Sequence, residues 1–326
     1  MNISEIAKMA GVSRAAVSRY LNNGYISDEK KEKIRTVIDK TGYKPSVQAQ
    51  ALRSKKTRMV GVVLPRINSD SISSIVAGIV TVLNENGYQM ILATTENNPA
   101  REIDYIRVLS RTHVDGIIFI ATVFTKEHRK LLNSMSLPLV IVGQRLPGFS
   151  CIFNDDFNAG FTIASEIIKT GRKKISYIGV MKADVAVGLE RCRGYEEAMK
   201  CARLEVTHEM TETADFSIEA GYEAAVRLLK AYPDAEAIIC ATDSIAVGVL
   251  SYLKEKGIPV PEKIALAGFG DNRISRVTSP PITTVHFSYR ESGSEAARKI
   301  LQMIQSGDTA SVEMKLGFSF EKRESI

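Results

Sequence analysis

The sequence predicts two unlike parts: an N-terminal all-α helix-turn-helix domain with a short hinge helix, and an α/β region of two lobes, each built on a doubly wound parallel sheet. Three observations carry this expectation. Charge is unevenly spread: residues 1–58 hold 13 Lys/Arg against 5 Asp/Glu, a net of +8, whereas the remainder holds 30 against 32. Capping residues and glycines divide the first sixty residues into short helices. Beyond Arg58, continuous apolar runs alternate with helical stretches. The length of 326 residues exceeds one compact core, and 44% hydrophobic with 25% charged residues is ordinary for a soluble globular protein. No run of about 18 apolar residues is present to span a membrane. The opening Met1-Asn2-Ile3-Ser4-Glu5 lacks the basic-then-apolar layout of an export signal. The four cysteines, Cys151, Cys192, Cys201 and Cys240, have neither disulfide-framework nor zinc spacing. A cytoplasmic location is expected.

The first helix begins at Asn2, a capping residue with Glu5 three positions on, and Ile6, Met9 and Ala10 recur at helical spacing until Gly11 breaks the run. Ser13 caps a second helix running from Arg14 to Leu21. Ala7, Ala10, Val12, Val17 and Leu21 form the expected small core, leaving Ser13, Arg14, Ala15, Ser18 and Arg19 outside. A third helix follows Ser27, with Asp28 and Glu29 favouring its N-terminus, and ends at Thr41-Gly42. Two short helices joined by a glycine turn on a basic surface suit the major groove of DNA. There an arginine at the start of the second helix can donate twice to guanine, and Ala15 offers a methyl to thymine. Ser18, Arg19 and Asn22 complete the expected contact set. Residues 46–54 are too short for a stable isolated helix, so they are expected to fold only when two copies meet on DNA.

In the second part, apolar runs at 59–64, 88–93, 114–120, 137–142, 174–180, 235–241 and 263–269 read as strands. Helices are expected near 71–86, 99–111, 189–201, 217–231 and 244–256. Strands apolar throughout, rather than alternating, belong to parallel sheets covered on both faces. Two blocks of this kind predict two lobes.

The chain resembles the LacI/GalR family of transcriptional regulators. Residues 6–22, IAKMAGVSRAAVSRYLN, and 42–57, GYKPSVQAQALRSKKT, look like that family's DNA-reading unit and hinge. Further matches are Arg191-x-x-Gly194-Tyr195, Ala241-x-Asp243-x-x-Ala246-x-Gly248, 279–285 and Arg323-Glu324-Ser325. The resemblance implies a periplasmic-binding-protein-like sensor with three crossovers, near Asp156, Ser288 and Gly317. It implies Ala49 and Leu52 as the hinge residues that pack across a dimer axis and enter the minor groove. It further implies Arg191 and Asp243 as cleft residues gripping ligand hydroxyls, with Phe216 against a sugar ring. Phe161 and Phe287 are expected along the cleft, and Asn68 and Ser69 at its edge. Gly143 and Gly270 stand where sugar-responsive members carry acids. Gln144 and Asp271 follow them, and the loss of two carboxylates either makes room for a larger ligand or changes the ligand's identity. This combination resembles regulators of sucrose or fructoside use.

The expected organisation is 1–45 for DNA reading, 46–57 for the hinge, and 58–326 for ligand binding and dimerisation. Within the last, one lobe comprises about 58–156 with 289–316 and the other about 157–288 with 317–326. No catalytic residue, metal site or cofactor is expected. His113, His128, His208 and His286 are isolated, and neither a phosphate loop nor a nucleophile-turn motif is present. The expected function is a homodimeric repressor on a pseudo-palindromic operator, released by a sugar or sugar-phosphate effector. The alternative is a corepressor or phosphoprotein partner that strengthens DNA binding.

Overall fold

The computed structural model describes residues 1–22, 24–43, 57–112, 114–307 and 310–326. The hinge expectations, Ala49 and Leu52 included, lie outside the described residues. Two compact units are present, Met1–Arg58 and Met59–Ile326.

In the first unit, α1 (Ile3–Met9) opens with a full capping box: the Asn2 side chain accepts from the Ser4 and Glu5 amides, and the Asn2 amide donates to Glu5 Oε2 at 2.9 Å. Gly11 turns the chain at φ 63°, a left-handed conformation that favours glycine. Ser13 Oγ then accepts from the Ala16 amide to start α2 (Arg14–Leu21). The third helix, α3 (Asp28–Thr41), ends on Gly42 at φ 61°. Ile6, Val17 and Ile34 are fully enclosed where the three helices meet. Fully burying one such side chain is worth about 1.5–3 kcal/mol, so a few of them hold together a unit this small. Met9 departs from expectation and is exposed, because the inward stripe of α1 is Ile3, Ile6, Ala7 and Ala10.

The second unit holds two six-stranded sheets. The first sheet is ordered β11-β5-β4-β3-β1-β2. Its strands are β1 (Met59–Leu64), β2 (Gln89–Thr94), β3 (Gly116–Ile120), β4 (Leu139–Val142), β5 (Ser150–Asn154) and β11 (Glu313–Leu316). Helices α4 (Asp70–Glu85), α5 (Pro99–Arg111), α6 (Lys126–Asn133) and α12 (Tyr289–Ser306) belong to this lobe. The second sheet is ordered β12-β10-β9-β8-β6-β7. It comprises β6 (Ile175–Gly179), β7 (Thr211–Thr213), β8 (Ala237–Cys240), β9 (Ala265–Phe269), β10 (Thr283–Phe287) and β12 (Phe318–Glu321). With it go α7 (Asp156–Lys169), α8 (Arg191–Cys201), α9 (Ile218–Ala231), α10 (Asp243–Glu255) and the short α11 (Arg273–Val277). The chain therefore changes sheet three times, after β5, after β10 and after β11. Strand pairing is parallel except for β10 with β12. Where a helix was expected to start near 189, the first turns instead form a π-helical segment, Val185–Glu190, that leads into α8.

In each sheet the order in which strands are added reverses at a switch point, between β1 and β3 in the first and between β6 and β8 in the second. In open α/β sheets ligands bind outside the carboxyl ends of strands at such points. Close helix pairing keeps the first lobe thin: a Cβ on Gly293 of α12 would stand 1.9 Å from the Ile75 carbonyl oxygen of α4, and one on Gly78 2.0 Å from that of Arg290. Only glycine allows the two backbones this approach.

Candidate functional site

The two switch points face one cavity of about 120 Å³. Pro65 and Arg66 follow β1, Ala121 and Thr122 follow β3, Asp184 lies beyond β6, and Thr242 lies beyond β8; all of them line it. Gln144, Asn154, Asp156, Arg191, Phe216 and Asn272 complete much of the wall.

Arg191 starts α8 and is 2% exposed. Its Nε donates to Asp156 Oδ1 at 2.7 Å and its Nη1 to the Ala241 carbonyl at 2.7 Å. The guanidinium carbon lies 4.9 Å from the ring centres of both Phe269 and Phe287. Arg191 thus joins α7, α8 and the end of β8 beneath the cleft. Desolvation pushes the Asp156 carboxyl up, and the Arg191 charge opposes that shift.

Contacts cross between the lobes at two places, and at the first the Ala186 amide also donates to Gln144 Oε1 at 3.3 Å. Gln144, after β4, donates through Nε2 to Asp184 Oδ1 at 2.7 Å, and the Val187 amide donates to the same oxygen at 3.0 Å. Arg66, after β1, places its guanidinium carbon 4.3 Å from the centre of the Phe216 ring, which precedes α9. Both pairs lie in the cleft wall, one buried and one toward its mouth.

Of the residues expected in the cleft, Ser69, Gln144, Arg191 and Phe216 line this cavity. Asn68 lines only an outer opening that continues from it. Asp243 does not reach the cavity. It is fully enclosed, its Oδ1 accepting from Thr284 Oγ1 at 2.6 Å and its Oδ2 from the Asn272 amide at 2.7 Å. It therefore positions Asn272, which does line the cavity. A Cβ on Gly268 would stand 2.5 Å from Asp243 Oδ1, which accounts for that glycine. Asp271 also points away, its carboxylate taken by Arg276, Arg323 and His286. Phe287, 1% exposed, stacks on Phe269 beneath the floor, and Phe161 packs into the second-lobe core, so neither lines the cavity. Gly143 and Gly270 adopt φ values of 88° and 130°. Those backbone conformations favour glycine, so both residues answer a backbone requirement besides any gain of space. Sequence reasoning missed Arg66, Asp184 and Asn272. The first of these has a usable signal, since it lies directly after the first apolar run of a doubly wound lobe.

In the first unit Ser13, Arg14, Ala15, Arg19 and Asn22 are exposed and Ser18 is half-buried, along α2 and its two caps. Asn22 Nδ2 donates back to the Ser18 carbonyl at 2.6 Å. His128 lies far from the cleft, enclosed between Phe119 and Phe124 with Nε2 3.1 Å from Glu102 Oε2. No cluster suited to holding a metal is present among the described residues, and no helix among them is long and apolar enough to cross a membrane.

Burial holds the Asp184 carboxyl up at about 6, against hydrogen bonds from the Val187 amide and Gln144, with Arg191 favouring and Asp156 opposing its charge. Arg66 faces it as well. Opening the lobes would expose Asp184 to water and return it toward the ordinary value of 3.8. The closed arrangement therefore binds the proton more tightly. Its favourable contribution is fully present below the open-state value and is lost as pH rises through about 6. A ligand that holds the lobes as they are here is expected to bind roughly tenfold more tightly at pH 5 than at pH 7. Calorimetric titration across that range checks this, and Asp184→Asn should flatten the profile. An unchanged slope in that variant assigns the pH dependence to another group.

Comparison with known proteins agrees with this architecture. The model of bacterial regulatory proteins of the lacI family matches residues 2–46, and that of the periplasmic binding protein-like domain matches 164–326. The sucrose operon repressor of Staphylococcus xylosus is 36% identical over 304 residues, 93% of this chain and 94% of that protein. The transcriptional regulator CelR in complex with cellobiose superposes with a TM-score of 0.78 at 28% identity, with both chains fully covered. The lac repressor dimer bound to operator and the anti-inducer ONPF superposes at 0.92 with 20% identity, over all of this chain and 98% of that one, which speaks to the fold.

Proposed function

The chain belongs to the LacI family of bacterial regulatory proteins, DNA-binding regulators rather than enzymes, and from that premise we propose that it represses a carbohydrate-utilisation operon until a neutral sugar, sucrose or a related fructoside, releases it. One observation carries the choice of ligand: the cleft between the facing switch points offers amides and hydroxyls, its buried cation, Arg191, is already neutralised by Asp156, and its second cation, Arg66, lies on the Phe216 ring and faces Asp184. Such a wall favours hydroxyls over a phosphate, which would need an uncommitted buried charge. The likeness to a sucrose operon repressor and to a regulator that holds cellobiose supports the same class.

The repressor acts in the cytoplasm as a homodimer on a pseudo-palindromic operator, with one α2 helix per half-site in the major groove. Sugar between the lobes shifts one against the other and separates the hinge segments. By linkage, a sugar that weakens DNA binding is bound less tightly by the DNA-bound protein.

Fluorescence anisotropy tests this with a palindrome from upstream of the protein's own gene, titrated with a panel of sugars and sugar phosphates. Release by sucrose or a fructoside is expected. Tightening by any compound or phosphoprotein, with no sugar releasing the DNA, would overturn the inducible reading in favour of a corepressor.

A further inference from the structure

The second unit is close to neutral, with 30 Lys/Arg against 32 Asp/Glu, yet one end of its first lobe is basic. A groove of about 600 Å³ runs there between α5 and α6. Arg107 and Arg111 of α5 and Lys130 of α6 line it, and among the described residues Glu127 is the one acid in the lining. Arg111 and Lys130 are exposed, and neither forms an ion pair among the described residues. Arg107 meets Asp104 at 3.3 Å, a water-facing pair that leaves most of its charge available.

A cation in the last turn of a helix complements the helix dipole, and that alone accounts for either one taken singly. The arrangement here is more particular. In the same lobe, α4 and α12 carry no base in their last turns, whereas α5 and α6 both do, and those two ends converge on one groove. Ser110, Ser134 and Ser136 add hydroxyls to its lining. Arginine, lysine and hydroxyl groups are the side chains that meet phosphate oxygens along a nucleic-acid backbone. Strands β1, β3 and β4 are parallel, and each helix returns the chain to the start of the next strand. The ends of α5 and α6 therefore lie at the edge where β1 begins. Met59, the first residue of the unit, accepts at its carbonyl from the Asp115 amide at 2.8 Å, four residues beyond Arg111. The groove thus lies where the chain enters this unit, at the opposite edge of the sheet from the cleft.

We propose that this groove is a second, sequence-independent DNA contact, which takes backbone phosphates of the duplex that flanks the operator. Charge complementarity selects a polyanion, and DNA is the polyanion that the chain already binds. Residues 44–57 tether the unit over at most about 50 Å, so DNA held by the first unit is presented to the groove at high effective concentration. Each phosphate that is neutralised releases condensed counterions, so the contact strengthens binding at low salt and fades as salt rises. It reads no bases, and therefore adds affinity without specificity. The inference goes beyond the effector reading and rests only on operator binding.

Fluorescence anisotropy of the full chain tests this with an operator recovered by selection from random duplexes. The same operator is measured bare and extended by about two helical turns on each side, over a range of salt concentrations. The wild type is expected to bind the extended duplex about tenfold more tightly at low salt, with a salt slope steeper by about two. Arg111→Gln combined with Lys130→Gln should lose that gain while keeping both the affinity for the bare operator and the melting temperature. Both side chains are exposed, so folding is spared. Arg111→Lys combined with Lys130→Arg keeps the charge and should keep the gain. Equal affinity of the wild type for the two duplexes overturns the proposal and leaves the groove to an acidic protein surface. A full gain in the glutamine variant overturns it as well, as does a loss that is equal for both duplexes.

Discussion

Arg191→Ala is expected to lower the stability of the two-lobed unit by about 3–5 kcal/mol, in addition to abolishing the response to effector. The side chain is enclosed, so its removal strands the Asp156 carboxylate without its partner, in a place where burial already pushes that carboxyl up. The Ala241 carbonyl loses its donor, and two aromatic rings lose the cation between them. Arg191→Lys keeps the charge but not the fork that serves Asp156 and Ala241 together, so it should recover only part of the loss. Urea denaturation gives the stability and anisotropy the response. A double variant, Arg191→Met with Asp156→Leu, separates the two roles: it leaves no stranded charge, so stability should return toward that of the wild type. If the double variant is stable and still unresponsive, the Arg191–Asp156 pair contacts the effector. If it is stable and responds normally, Arg191 only holds the floor on which the effector lies.

That dual role shows where the sequence could and could not be read. Local signals were sufficient in the first unit: the three-residue spacing of Asn2 and Glu5, the Ser13 cap, and glycines at positions 11 and 42 each act within one turn of helix. Strand existence is also legible, although the apolar run at 235–241 is wider than the strand it marks. Apolar residues continue into buried strand ends, where the observed strand covers only Ala237–Cys240. The short β5 and the helix α7 after it have no comparable run to mark them. In the cleft, the deciding contacts join distant positions: Gln144 with Asp184, Arg191 with Asp156, Asp243 with Thr284. Nothing in a single sequence marks those partners. The motif around Asp243 is legible, but its carboxylate faces inward and accepts from the amide of Asn272, a residue that lines the cavity.

Arg14→Ala is expected to weaken operator binding by about 1–3 kcal/mol and to relax specificity at one base pair in each half-site. Arg14 is the first residue of α2, exposed, immediately after the Ser13 cap. Because Ser13 Oγ fixes the start of the helix through the Ala16 amide, the Arg14 side chain leaves from a defined backbone position rather than from a frayed end. A guanidinium held in that way can meet the O6 and N7 of one guanine with two N–H groups, and the discrimination is lost with either one. Arg19, a turn and a half further along the exposed side, serves as the comparison. As a phosphate contact, its replacement should weaken all operator variants alike and lower the salt dependence by about one counterion. Anisotropy against a set of single-base operator variants at two salt concentrations distinguishes these outcomes. If Arg14→Ala loses affinity uniformly, with a shallower salt slope, then Arg14 also contacts phosphate, and base recognition in this chain rests on Ala15, Ser18 and Asn22.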